Sequence, residues 1–210
     1  MSRTHLTQIL AVSLAMFTTG AAFVVWLPST HGGVSPYVLF PLFGLVAFGL
    51  MWGHYVIGAI RQALNVEKST LKTYWDFTSW VVLFCIIAHP FLLEFQLYLD
   101  GRGLPPASLF ETYLRPIDRL ALLAGLTALV SFLAFELYRF FQNHAWWRYV
   151  EWLNVVAMSL ILWHGFILGT ELRLPWFQAI WAGYAITFVA SVAYTGYHNW
   201  RNTHAAKTVF

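Results

Sequence analysis

Two histidines are the residues here whose type and spacing could do chemistry. His164 lies two thirds of the way along a nearly unbroken apolar stretch, Trp146 to Glu171, WWRYVEWLNVVAMSLILWHGFILGTE, and His89 lies at almost the same fraction of a second, Tyr74 to Leu99. Desolvating an imidazole in hydrocarbon is costly, so a role in function is the default reading of such a residue, although a single one is often only hydrogen-bonded to a neighbouring helix. Depth singles out the pair. If the two helices run in the same direction, His89 lies about 15 residues and His164 about 17 residues from the same face, and a rise of 1.5 Å per residue puts both about 22 to 26 Å from it. Two neutral imidazoles at matched depth can close on one metal from opposite sides without adding charge to the lipid.

The elements that must position them follow from composition. Of 210 residues, 59% are apolar, 19% aromatic and only 10% charged, far from the roughly 25% charged of soluble domains. The expected fold is an all-α integral membrane bundle. About 20 apolar residues cross roughly 30 Å of hydrocarbon, and six such spans fit: Gln8 to Leu27, Tyr37 to Ile60, Tyr74 to Leu99, Ile117 to Phe140, Trp147 to Gly169 and Trp176 to Tyr197. They make a single domain over residues 1–210, with no internal repeat and no room for a soluble nucleotide-binding domain. The first span has a small-residue run, Thr18 to Ala22, like that of a signal peptide. Its apolar run continues to Trp26, so an uncleaved helix is expected.

Topology is read from the twelve Lys and Arg residues. With the N-terminus cytoplasmic, Arg3, Arg61, Lys68, Lys72, Arg139, Arg148, Arg201 and Lys207 lie inside, and Arg102, Arg115, Arg119 and Arg173 outside. Positive charge gathers on the cytoplasmic side of membrane proteins, so both termini are expected there. No basic block suggests nucleic acid. The single cysteine, Cys85, excludes a dithiol relay and a thiolate-built iron–sulfur or zinc cluster.

Other residues are candidates by position. The second span carries Gly44, Gly49, Gly53 and Gly58, which permit close approach of a helix or of a flat ligand. His54 beside Gly53 either bonds a neighbouring helix or contacts a cofactor. Pro90 directly after His89 is expected to bend its helix, and a 3.6-residue period puts Cys85, Leu92, Leu93 and Gln96 on the side of His89. The outer loop DGRGLPPASLFETYLRPIDR, about 20 residues, is long enough to be functional. Its Arg102, Arg115 and Arg119, and Arg173 beyond the fifth span, are candidates to pair with the acidic groups of a cofactor, or are ordinary interfacial arginines.

Iron in a haem suits the two histidines. Six-coordinate iron between two imidazoles has no open position for substrate, which favours electron transfer over oxygen chemistry. At this point the residues reach a resemblance. AHPFLLEFQLYLD in the third span resembles a segment of the ferric-reductase-like transmembrane family, in particular the haem-binding membrane subunit of the periplasmic methionine sulfoxide reductase system (MsrQ/YedZ-like), and WWRYVEWLNVVAMSLILWHG resembles that family's fifth-helix pattern. The resemblance implies b-type haem held by His89 and His164. It also implies an outer-face redox partner or a larger complex; the cytosolic dehydrogenase module that NADPH oxidases and ferric reductases add to the same helical core is not expected in these residues. Glu151 and Trp75 stand where the family has the two ligands of an inner haem, and LKTYWD replaces an arginine pair. One haem is therefore implied, with electrons reaching it from another source, such as a quinone or a flavin against His54, Trp75, Arg148 and Glu151.

Some other membrane chemistries fail on residues. Retinal needs a lysine inside a span, and Lys68, Lys72 and Lys207 lie in loops or tails. No serine sits in the setting of a membrane serine protease, and HExxH is missing. Three readings stay open beside the cytochrome: a transporter or non-catalytic subunit in which the histidines, Asp76, Glu94 and Glu151 line a polar path or satisfy helix contacts; a copper site on the same histidines; and a haem-bearing anchor of a respiratory quinol dehydrogenase.

Overall fold

The computed structural model describes residues 2–136 and 147–207, and the regular structure over these is all helical. Its long helices are α1 (Arg3–Trp26), α2 (Pro36–Ala63), α3 (Lys72–Leu99), α5 (Pro116–Glu136), α6 (Trp147–Leu168) and α7 (Pro175–Lys207), with a short α4 (Ala107–Thr112) in the loop after α3. Starts are set locally. The Ser2 hydroxyl accepts from the His5 amide at 3.2 Å, an N-cap that satisfies one of the orphan donors of a helix terminus. Helices α2, α5 and α7 open on Pro36, Pro116 and Pro175, where the missing N–H costs nothing and φ is already helical.

Five helices among the described residues are long and apolar enough to cross a membrane: Arg3–Gly32, Pro36–Ala63, Lys68–Leu99, Pro116–Ala134 and Pro175–Asn202. Their outward faces carry Met16, Phe77, Phe84, Val130 and Ile186, large apolar side chains that soluble surfaces rarely gather. This is a membrane protein. The fifth expected span, Trp147 to Gly169, is helical as α6, but its described apolar portion is the shorter Trp152–Leu168. The expected end of the fourth span at Phe140 lies outside the described residues, as does Arg139.

Helix α2 is the hub. Half of its apolar window is buried, against 22–28% for the other four spans, and Val46 to Gly53 are buried without interruption. A helix that is apolar all round belongs in the middle of its bundle. It packs against α1, α3 and α7, while α5 packs chiefly against α6. Gly49 lets α1 in: a Cβ there would come within 2.8 Å of Thr18 Cβ. Replacing Gly49 by alanine should therefore cost about 1–3 kcal/mol of stability through overpacking, seen as a lower unfolding temperature in detergent. An unchanged temperature would mean that α1 and α2 do not lie this close. On the other side of α2, Trp52 Nε1 donates to Thr187 Oγ1 of α7 at 2.9 Å.

Two prolines interrupt the helical ladders without ending them. Pro41 lies inside α2 and Pro90 inside α3. Pro90 leaves α3 one continuous helix, and Ile86 loses only the N–H that residue 90 would have supplied to its carbonyl.

Candidate functional site

The long helices about the two histidines form two pairs, α2 with α3 and α5 with α6, and each pair holds one histidine in the same way. In the first, the His89 ring on α3 lies against α2, and Nδ1–H donates to the Phe40 carbonyl at 2.7 Å. In the second, the His164 ring on α6 lies against α5, and Nδ1–H donates to the Ala121 carbonyl at 2.8 Å. A carbonyl oxygen can only accept, so each bond assigns the proton to Nδ1 and leaves the lone pair of a neutral ring on Nε2. In a five-membered ring that lone pair points roughly away from the Nδ1 bond, out of its own helix pair.

Each ring reaches its carbonyl because the helix beneath it has a glycine four residues on. A Cβ at Gly44 would come within 2.8 Å of His89 Nδ1, and one at Gly125 within 2.6 Å of His164 Nδ1. The sequence shows no repeat, yet the arrangement is one: a helix opened by proline, a carbonyl that accepts from the ring, a glycine one turn later, and a histidine arriving on the next long helix. Gly44 could be singled out from the sequence as a close-approach position. Gly125 could not, although it too lies about two and a half turns past the proline that opens its helix, a usable signal.

The two rings face each other across a cavity. Their centroids are 6.4 Å apart and their planes stand at 81°. A metal bound on opposite sides by two imidazoles, each at about 2.0 Å, puts the ring centres roughly 6 Å apart. Among the described residues no three His, Cys, Asp or Glu side chains converge as a metal-binding group. An ion held by these two would have to draw the rest of its coordination from a ligand of its own. The cavity, about 390 Å³, has room for one. Its walls come from α2, the last half of α3, α5, the last half of α6 and Trp181 of α7, with Phe48, Leu93, Phe132 and Ile161 among the other apolar residues. The helix pairs pack closely within themselves and only sparsely against each other, so a flat occupant can lie between them. A copper ion alone would leave most of that space unfilled.

The mouth of the cavity, at the end where α2 and α5 begin, is polar, with Tyr113, Arg115, Asp118, Thr170, Glu171 and Arg173 in its wall. Arg115 is engaged by Asp118 through two hydrogen bonds of 2.7 and 2.8 Å, which hold its guanidinium more firmly protonated than usual. Arg173 has no ion-pair partner among the described residues and is the cation better able to meet an acidic group of an occupant. Arg102 and Arg119 stand outside the wall, and Arg119 Nε donates to the Tyr113 carbonyl at 2.9 Å, tying down the loop. That loop is fixed at its start by Asp100, which accepts from Tyr37 at 2.6 Å and from Gln96 at 2.8 Å. Both bonds, the tyrosine's first, keep its carboxyl below the usual carboxylate range.

His54 is not part of this wall. Its Nε2–H donates to Thr78 Oγ1 at 2.7 Å, and that hydroxyl in turn donates to the Tyr74 carbonyl at 2.7 Å. Of its two sequence readings, the helix-to-helix bond is the one seen. Trp75 packs edge-on against His54 at 4.8 Å, whereas the side chains of Arg148 and Glu151 lie outside those described. Leu93 shares the cavity side of His89 as its period suggested, while Cys85 packs in the main core and Gln96 serves Asp100. Glu94 accepts from Ser108 at 2.6 Å and Asp76 is exposed, so neither adjoins the two histidines.

No family model, no curated protein and no solved structure matches this chain. Its function is therefore argued from the site.

Proposed function

We propose that the protein is a membrane-embedded b-type cytochrome that passes electrons through one haem, held by His89 and His164, to or from a partner oxidoreductase or the quinone pool. It is an electron-transfer subunit rather than a stand-alone enzyme. In this reading α6 makes the sixth crossing of a six-helix bundle with both termini cytoplasmic, in a bacterial inner membrane. The mouth of the cavity then faces outward, where the redox partner docks.

One observation carries the reading. Two imidazoles with Nδ1 tied to helix carbonyls, and so with the lone pair on Nε2, line one cavity with ring centres 6.4 Å apart. Fixing the tautomer through the second ring nitrogen is how proteins orient histidine ligands. What the short motifs imply by resemblance agrees with this, but the geometry supports the reading without them.

When bound, haem supplies a one-electron couple between ferric and ferrous iron. The chain's own residues do the rest. The two histidines would hold the iron, and Leu93, Phe132 and Ile161 would keep water from the cavity. Arg173, with Arg115 less freely, would offset propionate charge at the mouth. Burial and axial ligation are the levers that set the potential.

Protein purified from haem-replete cells should show a sharp Soret band that shifts on dithionite reduction, with one haem per chain by pyridine haemochrome. A colourless protein that takes up no added haemin would overturn the proposal and favour the transporter or assembly-subunit reading.

A further inference from the structure

Resting on the cytochrome reading, we infer that Gly44 and Gly125 are positioning residues that act through the two histidines: by keeping each ring pressed to a backbone carbonyl, they set how strongly its Nε2 donates to the iron and therefore the reduction potential. The argument begins with space. A Cβ on Gly44 would sit 2.8 Å from His89 Nδ1 and 2.9 Å from Cε1, and one on Gly125 would sit 2.6 and 2.7 Å from the same atoms of His164. Neither ring is the loose end of a flexible chain. Each is held at one edge by its carbonyl and, when loaded, at the other by the metal, so an alanine methyl must push the ring off one of them.

The bond that gives is the one to the carbonyl, because at 2.7 and 2.8 Å it has no slack. A Nδ1–H donated to a carbonyl leaves more electron density on Nε2, and a more donating ligand favours the higher oxidation state of the metal. Lengthening that bond weakens ferric binding more than ferrous, and the potential rises. The duplication supports the assignment, because two unrelated helix pairs have a glycine at the one position where a methyl would meet the imidazole edge. Close helix packing alone does not require this. Gly49 is as tightly placed but meets Thr18, and Gly58 meets nothing within 4 Å.

The test is a set of four single variants, Gly44→Ala, Gly125→Ala, Gly49→Ala and Gly58→Ala, each loaded with excess haemin in detergent. Potentials come from redox titration and haem affinities from Soret titration. Unfolding temperature is read on the same samples. Loss of a partner behind a metal ligand typically costs about 10- to 100-fold in affinity, and each tenfold preference lost for ferric over ferrous is about 59 mV for one electron. Gly44→Ala and Gly125→Ala should each raise the potential and weaken haem binding about tenfold or more. Gly49→Ala should lower only the unfolding temperature, and Gly58→Ala should change neither the potential nor the haem affinity. Wild-type potentials in both His-facing variants would overturn the inference while leaving the cytochrome reading intact, and so would an equal rise in the Gly49 variant. If wild type itself binds no haem, the cytochrome reading fails first. Should one His-facing variant not fold, the other tests the same claim independently, since it lies in the other helix pair.

Discussion

His89→Ala and His164→Ala should each purify without haem. Either substitution deletes one of two axial ligands, and the affinity lost should exceed the 10- to 100-fold typical of merely removing a partner behind a ligand. The remaining imidazole cannot compensate, because its ring is fixed to its own helix pair by the bond to Phe40 or Ala121. The replacements also create little new strain, since both side chains border the cavity rather than the packed core. Haem content and Soret absorbance of the purified variants check this. His54→Ala should keep a normal spectrum, because that ring serves Thr78 and is absent from the cavity wall. A His164 variant with an unchanged low-spin spectrum would end the assignment.

Withholding haem should cost the protein a large part of its stability. Helix backbones approach closely within each pair and sparsely between the pairs, which meet through side-chain clusters around the cavity. An occupant ligated from both sides would add a further link between the pairs, through His89 on α3 and His164 on α6. A ligand present at about a thousand times its dissociation constant stabilises the folded state by about 4 kcal/mol, which for a chain of this size corresponds to roughly 10 °C in unfolding temperature. Apoprotein from haem-depleted cells should therefore unfold about that much earlier in detergent and regain the difference on adding haemin. Equal temperatures with and without haem would mean that the cavity does not bind it.

How much of this was legible in the sequence depends on whether a feature is local to a span. His89 and His164 stand out because no charged residue lies in the twelve positions before either, and their depths can be counted from the span ends. Helix starts at Pro36, Pro116 and Pro175 are equally local. What sets the two rings in place is not. The bond from His89 to Phe40 joins residues in different helices, as does the bond from His164 to Ala121. That Gly125 has a purpose becomes visible only once α6 is seen lying on α5.

The arginines show the same limit. Sequence alone could not separate Arg115 and Arg173, which border the cavity, from Arg102 and Arg119, which do not. All four sit in or beside loops, whose course is set by contacts such as Arg119 to the Tyr113 carbonyl. For His54 the two readings differed only in whether a partner lay within reach, and Thr78 supplies one.

The most direct measurement is a low-temperature electron paramagnetic resonance spectrum of the oxidised protein. Each imidazole interacts most strongly with the iron d orbital normal to its own plane. Rings standing at 81° act almost equally on two such orbitals and keep them close in energy. The account predicts a strongly anisotropic low-spin ferric signal with one dominant low-field feature. A high-spin axial signal, or no haem signal from protein supplied with haemin, would contradict the claim that His89 and His164 share one iron.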